Sequence, residues 1–254
     1  MITLSSDFGS PYPAAMKGVL VSRCDARLID VAHDFPRQDV RTAGFWLREV
    51  LPYFPPAVHL VVVDPGVGTD RAAVVIRAGG HALVGPDNGV LLPVARRLAG
   101  TDADLESFEI TYDDPASVTF HGRDVFAPAA AEVHSVGVDR MEALSMLAPG
   151  VGPVDLAFPD PDIDEGDASG EILVVDGFGN AITNVPGEVL EGRFGGTVDI
   201  DGDPAPVERT YAAVPTGGRL VTVGSHGNVE LAVNQGRGED AFGVEAGDPV
   251  QIEW

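Results

Sequence analysis

The run Val58-His59-Leu60-Val61-Val62-Val63 followed at once by Asp64-Pro65-Gly66-Val67-Gly68 constrains the fold of this chain more than any other stretch. A continuous apolar, β-branched run is a strand buried on both faces, as occurs where helices cover a parallel sheet on both sides. Pro-Gly-Val-Gly after it is a tight turn. Asp64 therefore sits at the carboxyl end of a buried strand, where open α/β sheets bind their ligands. Arg71 lies just across the turn, placed to reach back and hold that carboxylate ionised and oriented. A second dense stretch, Thr119-Phe120-His121-Gly122-Arg123-Asp124-Val125-Phe126-Ala127-Pro128, offers His121 in a loop-to-helix turn. An Asp, an Arg and a His together can position and deprotonate a water.

The pattern around this strand extends the argument to the whole chain. Residues 2–5, 27–31, 58–63, 73–76 and 82–84 read as strands, and 13–23, 38–50, 90–99 and 124–134 as amphipathic helices. Such alternation predicts an N-terminal α/β/α layered domain over residues 1–150 with a mainly parallel sheet. Residues 151–169, rich in Pro, Gly and Asp, read as an acidic linker. From 170 to 254 the pattern becomes short strands and turns, at 170–176, 196–200, 206–210, 219–223, 229–233 and 248–253. That predicts a smaller antiparallel β domain, sandwich or barrel. No internal repeat is visible.

Charge narrows the partners. The chain of 254 residues has 39 acidic against 16 basic side chains, a formal net charge of -23, and Lys17 is its sole lysine. Nucleic acid and anionic membrane are poor partners for such a surface. The acidic excess with almost no lysine points to a halophilic setting, where a short Debye length screens self-repulsion. No apolar run approaches the ~18 residues of a membrane span, and the start lacks signal-peptide character, so a cytoplasmic protein is expected. Cys24 stands alone, which leaves no intrachain disulfide and no Cys-based zinc site; it reads as a half-buried helix residue.

Each candidate has a duller reading. Asp64 with Arg71 can be a strand-end turn with a surface ion pair of little consequence, and an isolated His121 is more often a satisfied turn histidine. Asp7, in Asp7-Phe8-Gly9 after the first strand, suits a ribose diol because a carboxylate accepts two hydrogen bonds; otherwise it caps the following helix. The same three letters occur in protein kinases, but no glycine-rich loop, strand lysine or His-Arg-Asp loop accompanies them. Asp160 to Glu171 approximates a calcium loop with its glycine one place late and a β run after it, so a solvated acidic linker is the better reading. No other cluster has metal-ligand spacing, and no cofactor is expected.

Taken in order, Asp7-Phe8-Gly9, Met16-Lys17-Gly18, Asp64-Pro65-Gly66-Val67-Gly68 with Arg71, Gly85-Pro86-Asp87-Asn88-Gly89 and Phe120-His121-Gly122-Arg123-Asp124 resemble the S-adenosyl-L-methionine (SAM) hydroxide adenosyltransferase family. These are water-using relatives of the fluorinase and chlorinase enzymes. Asp176-Gly177-Phe178-Gly179-Asn180 and Ser225-His226-Gly227-Asn228-Val229-Glu230 continue the order, so the resemblance spans nearly the whole chain. Ser10 to Pro13 and Asn228 depart from the family's usual residues, which bears on local substrate contacts.

The resemblance implies SAM cleavage by water into adenosine and L-methionine, a role in clearing the (R)-sulfonium form, and a homotrimer. It implies that Asp176 meets the substrate ammonium, that Phe178 lies in the same amino-acid-gripping segment, and that Asn180 lies near the nucleoside. Tyr211, Ser225, Glu230, Val233 and Gln235 fall where the family holds adenine and methionine. Tyr211 is able to stack on a purine, though Tyr211 and Val233 are equally plausible as core residues. Asp64 is assigned to the water, Arg71 to fixing Asp64, and His121 to taking or relaying the proton. The final base stays open between Asp64 and His121, with a mild lean to His121 because Arg71 makes Asp64 a weaker base. The rivals are a halide-using relative, whose anion Asp64 would repel, and a nucleoside-binding module without turnover.

Overall fold

A computed structural model describes residues 1–100, 104–112, 116–150 and 152–254. The chain divides into two compact units, Met1–Leu156 and Ala157–Trp254. In the first, the elements run β1 (Ile2–Ser6), α1 (Tyr12–Arg23), β2 (Leu28–Ala32), α2 (Val40–Val50), β3 (Val58–Val62), β4 (Ala73–Ala78), β5 (His81–Pro86), α3 (Leu92–Ala99), β6 (Leu105–Ile110), α4 (Ala127–Val136) and β7 (Leu147–Pro149). The strand order is β2-β1-β3-β5-β4-β6-β7. Pairings among β2, β1, β3 and β5 are parallel; β4, β6 and β7 add to the sheet antiparallel. The sheet is thus mixed, with its parallel half where the buried apolar run predicts it.

Alternation within β3 fixes the two layers. Leu60 and Val62 pack with Met16 and Leu20 of α1 and with Ala127, Ala130 and Val133 of α4. Val61 and Val63 point the other way, into Ala43 and Leu47 of α2 and Val94 and Ala95 of α3. Successive strand side chains face opposite sides, so one β-branched run supplies both cores. Gly85 lets β5 approach this strand: a Cβ there would lie 2.4 Å from the Val61 carbonyl oxygen.

Some local readings change. Helix α2 begins at Val40 because Asp39 caps it, its Oδ1 accepting the Thr42 N–H at 2.9 Å. The stretch read as a helix from 124 opens instead as a π-helical turn, Gly122–Phe126, before α4. Cys24 is not within α1 but caps its C-terminus, half-buried. Strand β6 escapes detection because Leu105–Ile110 is largely exposed or half-buried and lacks an apolar run.

The second unit runs β8 (Asp162–Ile163), β9 (Asp167–Val175), β10 (Ala181–Pro186), β11 (Thr197–Ile200), β12 (Asp203–Pro206), β13 (Arg219–Val223), β14 (Asn228–Val233), α5 (Gly238–Phe242) and β15 (Pro249–Glu253). Every strand pairing is antiparallel, in the order β12-β11-β15-β9-β10-β14-β13, with β8 on β9. A bridge between Val207 and Val221 joins the two ends of this order, so the sheet curls into a barrel. Its interior holds Ile172, Ala181, Val185, Val198, Leu231 and Ile252 among others. The segment expected as a linker carries β8 and the start of β9. The Asp160 to Glu171 run is therefore partly strand, with Ser169 and Ala168 paired to Asp162 and Ile163.

Candidate active site

The turn after β3 folds Arg71 back onto the carboxylate. Val67 N–H donates to the Asp64 carbonyl at 3.3 Å, and the Thr69 hydroxyl donates to the Gly66 carbonyl at 2.6 Å. Arg71 then meets Asp64 side-on: Nε donates to Oδ1 at 2.8 Å and Nη2 to Oδ2. The Asp64 and Arg71 side chains are only 6% and 9% exposed. This is not the screened surface pair of the duller reading, because a two-bond pair removed from water is far stronger and geometrically specific. The Arg71 guanidinium lies 5.0 Å over the Phe126 ring.

His121 reaches the same point from fifty residues on, its Nδ1 3.0 Å from Arg71 Nη2. The π-helical turn that carries it presses against β3 and α1. A Cβ at Gly122 would lie 2.9 Å from the Met16 sulfur and 3.2 Å from a Val62 methyl, so a larger residue there has to displace the Met16 side chain. Burial holds the His121 ring below the ordinary histidine range; Arg71 pushes the same way, while Asp64 and Asp124 pull back. Arginine only donates, so Nδ1 accepts from it and the neutral ring carries its hydrogen on Nε2. In that tautomer the Nδ1 lone pair is engaged and His121 offers Nε2–H as a donor. Asp64 keeps one lone pair on each oxygen beyond those Arg71 takes.

The Gly85 to Gly89 motif buttresses this site. Asn88 Nδ2 donates to the Val63 carbonyl at 2.8 Å, and the Asp87 N–H donates to the Ala72 carbonyl at 2.9 Å. Both ends of the Asp64 turn are thereby pinned from β5. Asp7 sits beyond Ser6, which pairs in register with Val62, so the two carboxylates leave adjacent parallel strands at the same end. Asp7 does not cap α1, which has no side-chain cap; its Oδ2 accepts the Gln38 N–H at 2.6 Å. Beside it, Phe8, Tyr12 and Phe120 form an edge-to-face trio with centroids 5.7 to 6.2 Å apart. Tyr112 stands edge-on to His121 at 5.8 Å. These aromatics are absent from the sequence-based assignment, because no spacing rule links residues so far apart in the chain.

In the second unit, Asp176, Phe178, Asn180, Tyr211, Ser225, Glu230, Val233 and Gln235 line one cavity of about 760 Å³, together with His226 and Arg237, which sequence reasoning did not single out. Asp176 is tied up in its own turn. Its Oδ1 accepts the Phe178 and Asn180 N–H groups at 2.8 and 2.9 Å, and its Oδ2 accepts Asn180 Nδ2 at 3.0 Å. One lone pair remains for a ligand. Glu230, 4% exposed, accepts the Tyr211 hydroxyl at 2.6 Å. Burial raises the Glu230 carboxyl above its usual range, Asp176 adds to this, and the Tyr211 hydrogen bond opposes it. Burial and Glu230 also raise the Tyr211 phenol. Val233 is buried and Phe178 is 81% exposed. Two carboxylates facing one cavity favour a cationic ligand. Among the described residues no group of three or more His, Cys, Asp or Glu is arranged to hold a metal ion.

Comparison with known proteins shows the family. A model of the SAM hydroxide adenosyltransferase N-terminal domain matches residues 2–144, and one of the C-terminal domain matches residues 170–251. The chain is 41% identical over 261 residues to the (R)-S-adenosyl-L-methionine hydrolase of Salinispora arenicola, covering 99% of this chain and 97% of that protein. It is 42% identical over 262 residues to the protein of the same name from Thermus thermophilus, covering 97% of each. A solved structure of a conserved protein from Thermotoga maritima superimposes with a TM-score of 0.82 at 33% identity, over the full length of both chains. With both units matched in order and full-length relatives at this identity, the chain belongs to the SAM hydroxide adenosyltransferase family.

Proposed function

We propose that the chain hydrolyses SAM to adenosine and L-methionine, with the (R)-sulfonium epimer as the favoured form. The observation that carries this reading is the buried Asp64–Arg71–His121 cluster at the carboxyl end of β3. Attack on the ribose 5′-carbon forms its bond to the water oxygen as the C5′–S bond breaks. The electron pair leaves on sulfur, and methionine departs as a neutral thioether that needs no acid. What the protein must supply is an oriented water and a place for its proton. Asp64 binds the water and takes the proton, Arg71 fixes both Asp64 oxygens, and His121 closes the cluster with Nε2–H as a donor. A carboxylate at this point repels a halide nucleophile, which sets the reading apart from fluorinase or chlorinase chemistry.

Asp7 takes the ribose hydroxyls. The cavity of the second unit, taken by itself, suits an ammonium or sulfonium charge facing Asp176 and Glu230, with Phe178, Asn180, Tyr211, Ser225, Val233 and Gln235 around them. Tyr211 acts through its hydroxyl on Glu230 rather than by stacking. The chain works as a cytoplasmic homotrimer; a fully active monomer in light scattering would overturn that. Among the described residues no helix is long and apolar enough to cross a membrane. The net charge of -23 suits concentrated salt, and a thermal midpoint that fails to rise from low to molar salt would count against it.

The function is tested with separated SAM epimers in isotopically labelled water with no added metal. Adenosine and methionine should appear in equal amounts, with one labelled oxygen in the 5′-hydroxyl and faster turnover of the (R) form. A halogenated nucleoside in fluoride or chloride, or binding without methionine release, would sink the reading.

A further inference from the structure

Lys17 stands out because it is the chain's sole lysine beside fifteen arginines. From α1, its Nζ donates to Asp30 Oδ2 at 2.5 Å. The other oxygen, Oδ1, lies 2.9 Å from His33 Nε2, just past β2. A carboxylate accepts, so Nε2 donates, and the neutral ring's Nδ1 accepts from the Ser6 hydroxyl at 2.7 Å. Ser6 is fully buried, which rules it out as a nucleophile but not as an anchor.

Ser6 is the residue before Asp7. On the other side of Asp7, Gly9 N–H donates to the carbonyl oxygen of the same His33 at 2.8 Å. His33 thus grips the Asp7-Phe8-Gly9 loop from both flanks, once with its ring and once with its backbone. The segment that follows completes the hold. Gln38, a non-glycine residue at φ +63°, gives its N–H to Asp7 Oδ2. Backbone held in that sparsely populated region persists only where its surroundings enforce it, and such residues cluster at functional sites.

We propose that His33, locked by Asp30 and Lys17, is the positioning residue that sets the Asp7 carboxylate for the ribose diol. The inference rests on the assignment of Asp7 to the ribose. It accounts for the lone lysine. An ammonium is a point donor that takes one carboxylate oxygen and leaves the other to His33, whereas a guanidinium fork takes both. Arginine at position 17 would compete for Oδ1 and release the His33 ring. The Lys17–Asp30 pair is 35% and 46% exposed, so it contributes little to stability. Its value lies in fixing the ring's orientation.

The test measures adenosine dissociation constants, KM and kcat for SAM, and thermal midpoints in Asp7→Ala, His33→Ala, Lys17→Met and Lys17→Arg. Asp7→Ala should weaken adenosine most. His33→Ala and both Lys17 variants should weaken adenosine and raise KM by roughly tenfold, with kcat within about threefold, because binding lost equally from ground and transition states appears in KM alone. The Lys17 variants should keep the wild-type midpoint, which separates positioning from unfolding. Weak adenosine binding in Asp7→Ala beside wild-type affinity in His33→Ala and Lys17→Arg overturns the proposal while sparing the ribose assignment. Wild-type adenosine affinity in Asp7→Ala overturns the ribose assignment itself, and the proposal with it.

Discussion

Asp64 and Asp176 are both strand-end carboxylates, and the two units hold them by opposite means. Asp64 is held by an arginine folded back across a turn and, through it, by a histidine fifty residues beyond that arginine, with the side chains of the ion pair largely buried. Asp176 is held by the amides of its own turn, two and four residues on, at the rim of an open cavity. In the proposed function, the difference separates a site suited to deprotonate from one suited to grip. A buried ion pair fixes geometry and excludes water, at the cost of depending on distant chain segments. A turn that satisfies its own carboxylate is local and cheap to build, and it leaves one lone pair for a ligand.

The comparison is broken most directly at the chemistry. Asp64→Asn removes the proton acceptor with little change of shape and should lower turnover by roughly 10²- to 10⁴-fold, with His121→Ala toward the lower end of that range. Adenosine binding, measured by calorimetry, should survive in both. If turnover is unchanged in both variants, the site is elsewhere. Because burial and Arg71 keep His121 neutral below the ordinary histidine range, kcat should hold as pH falls through 6.5 and decline only under more acid conditions.

Stability sharpens the contrast. Arg71→Met leaves the Asp64 carboxylate buried without its partner, a loss of about 3–5 kcal/mol for a pair so enclosed. Asp176→Asn keeps most of its turn, and the cost should be about 1 kcal/mol, the scale of one net hydrogen bond. Denaturant titrations decide between them, and equal losses would erase the distinction drawn here. Substrate binding gives the third comparison. Glu230→Gln keeps the Tyr211 contact but removes a charge from the cavity, so KM for cationic SAM should rise roughly tenfold with kcat nearly unchanged. A fall in kcat alone would place Glu230 in the chemistry instead.

Acid should separate the units by a smaller margin. At the amino ends of the parallel strands, the Thr3 hydroxyl, His59 and His81 form a buried chain of hydrogen bonds at 2.7 and 2.9 Å. Burial, helped by His81, pushes His59 down to about 3, and burial lowers His81 as well. The folded state favours the neutral rings. Their stabilisation is therefore complete above the unfolded value of 6.5 and is lost progressively as pH falls toward about 3. Between pH 6.5 and 4 the N-terminal unit should lose protection first, seen as a thermal midpoint that falls with pH. The second unit carries one histidine, His226. Hydrogen exchange by region reads the order, and a flat response in His59→Gln would tie the effect to this chain.

Much of the fold was legible because burial writes itself into residue type. The Val58–Val63 run, the glycine turns and the shift from long amphipathic segments to short strands placed the parallel half-sheet and the antiparallel barrel. Strands that escaped detection were those whose burial is not apolar. Strand β10 carries Thr183 and Asn184, whose side chains satisfy the Val229 carbonyl and the Glu171 N–H. Strand β12 contains two prolines, tolerated at the end of the strand order, where the Val207 bridge just beyond it closes the barrel, and a sequence pattern reads them as a break.

The sequence by itself determined at which strand ends the candidate residues stand, because turns and strand termini are set by local φ/ψ preference and hydrophobic period. Only the tertiary structure decided what stands beside them. That Arg71 occupies the His121 Nδ1 lone pair, that Tyr211 spends its hydroxyl on Glu230, and that Lys17, Asp30 and His33 brace the Asp7 loop are contacts across 50, 19 and up to 27 residues of chain. No periodicity encodes such distances. They exist because folding removes these side chains from water, and a polar group without water must find its partner wherever the chain brings one.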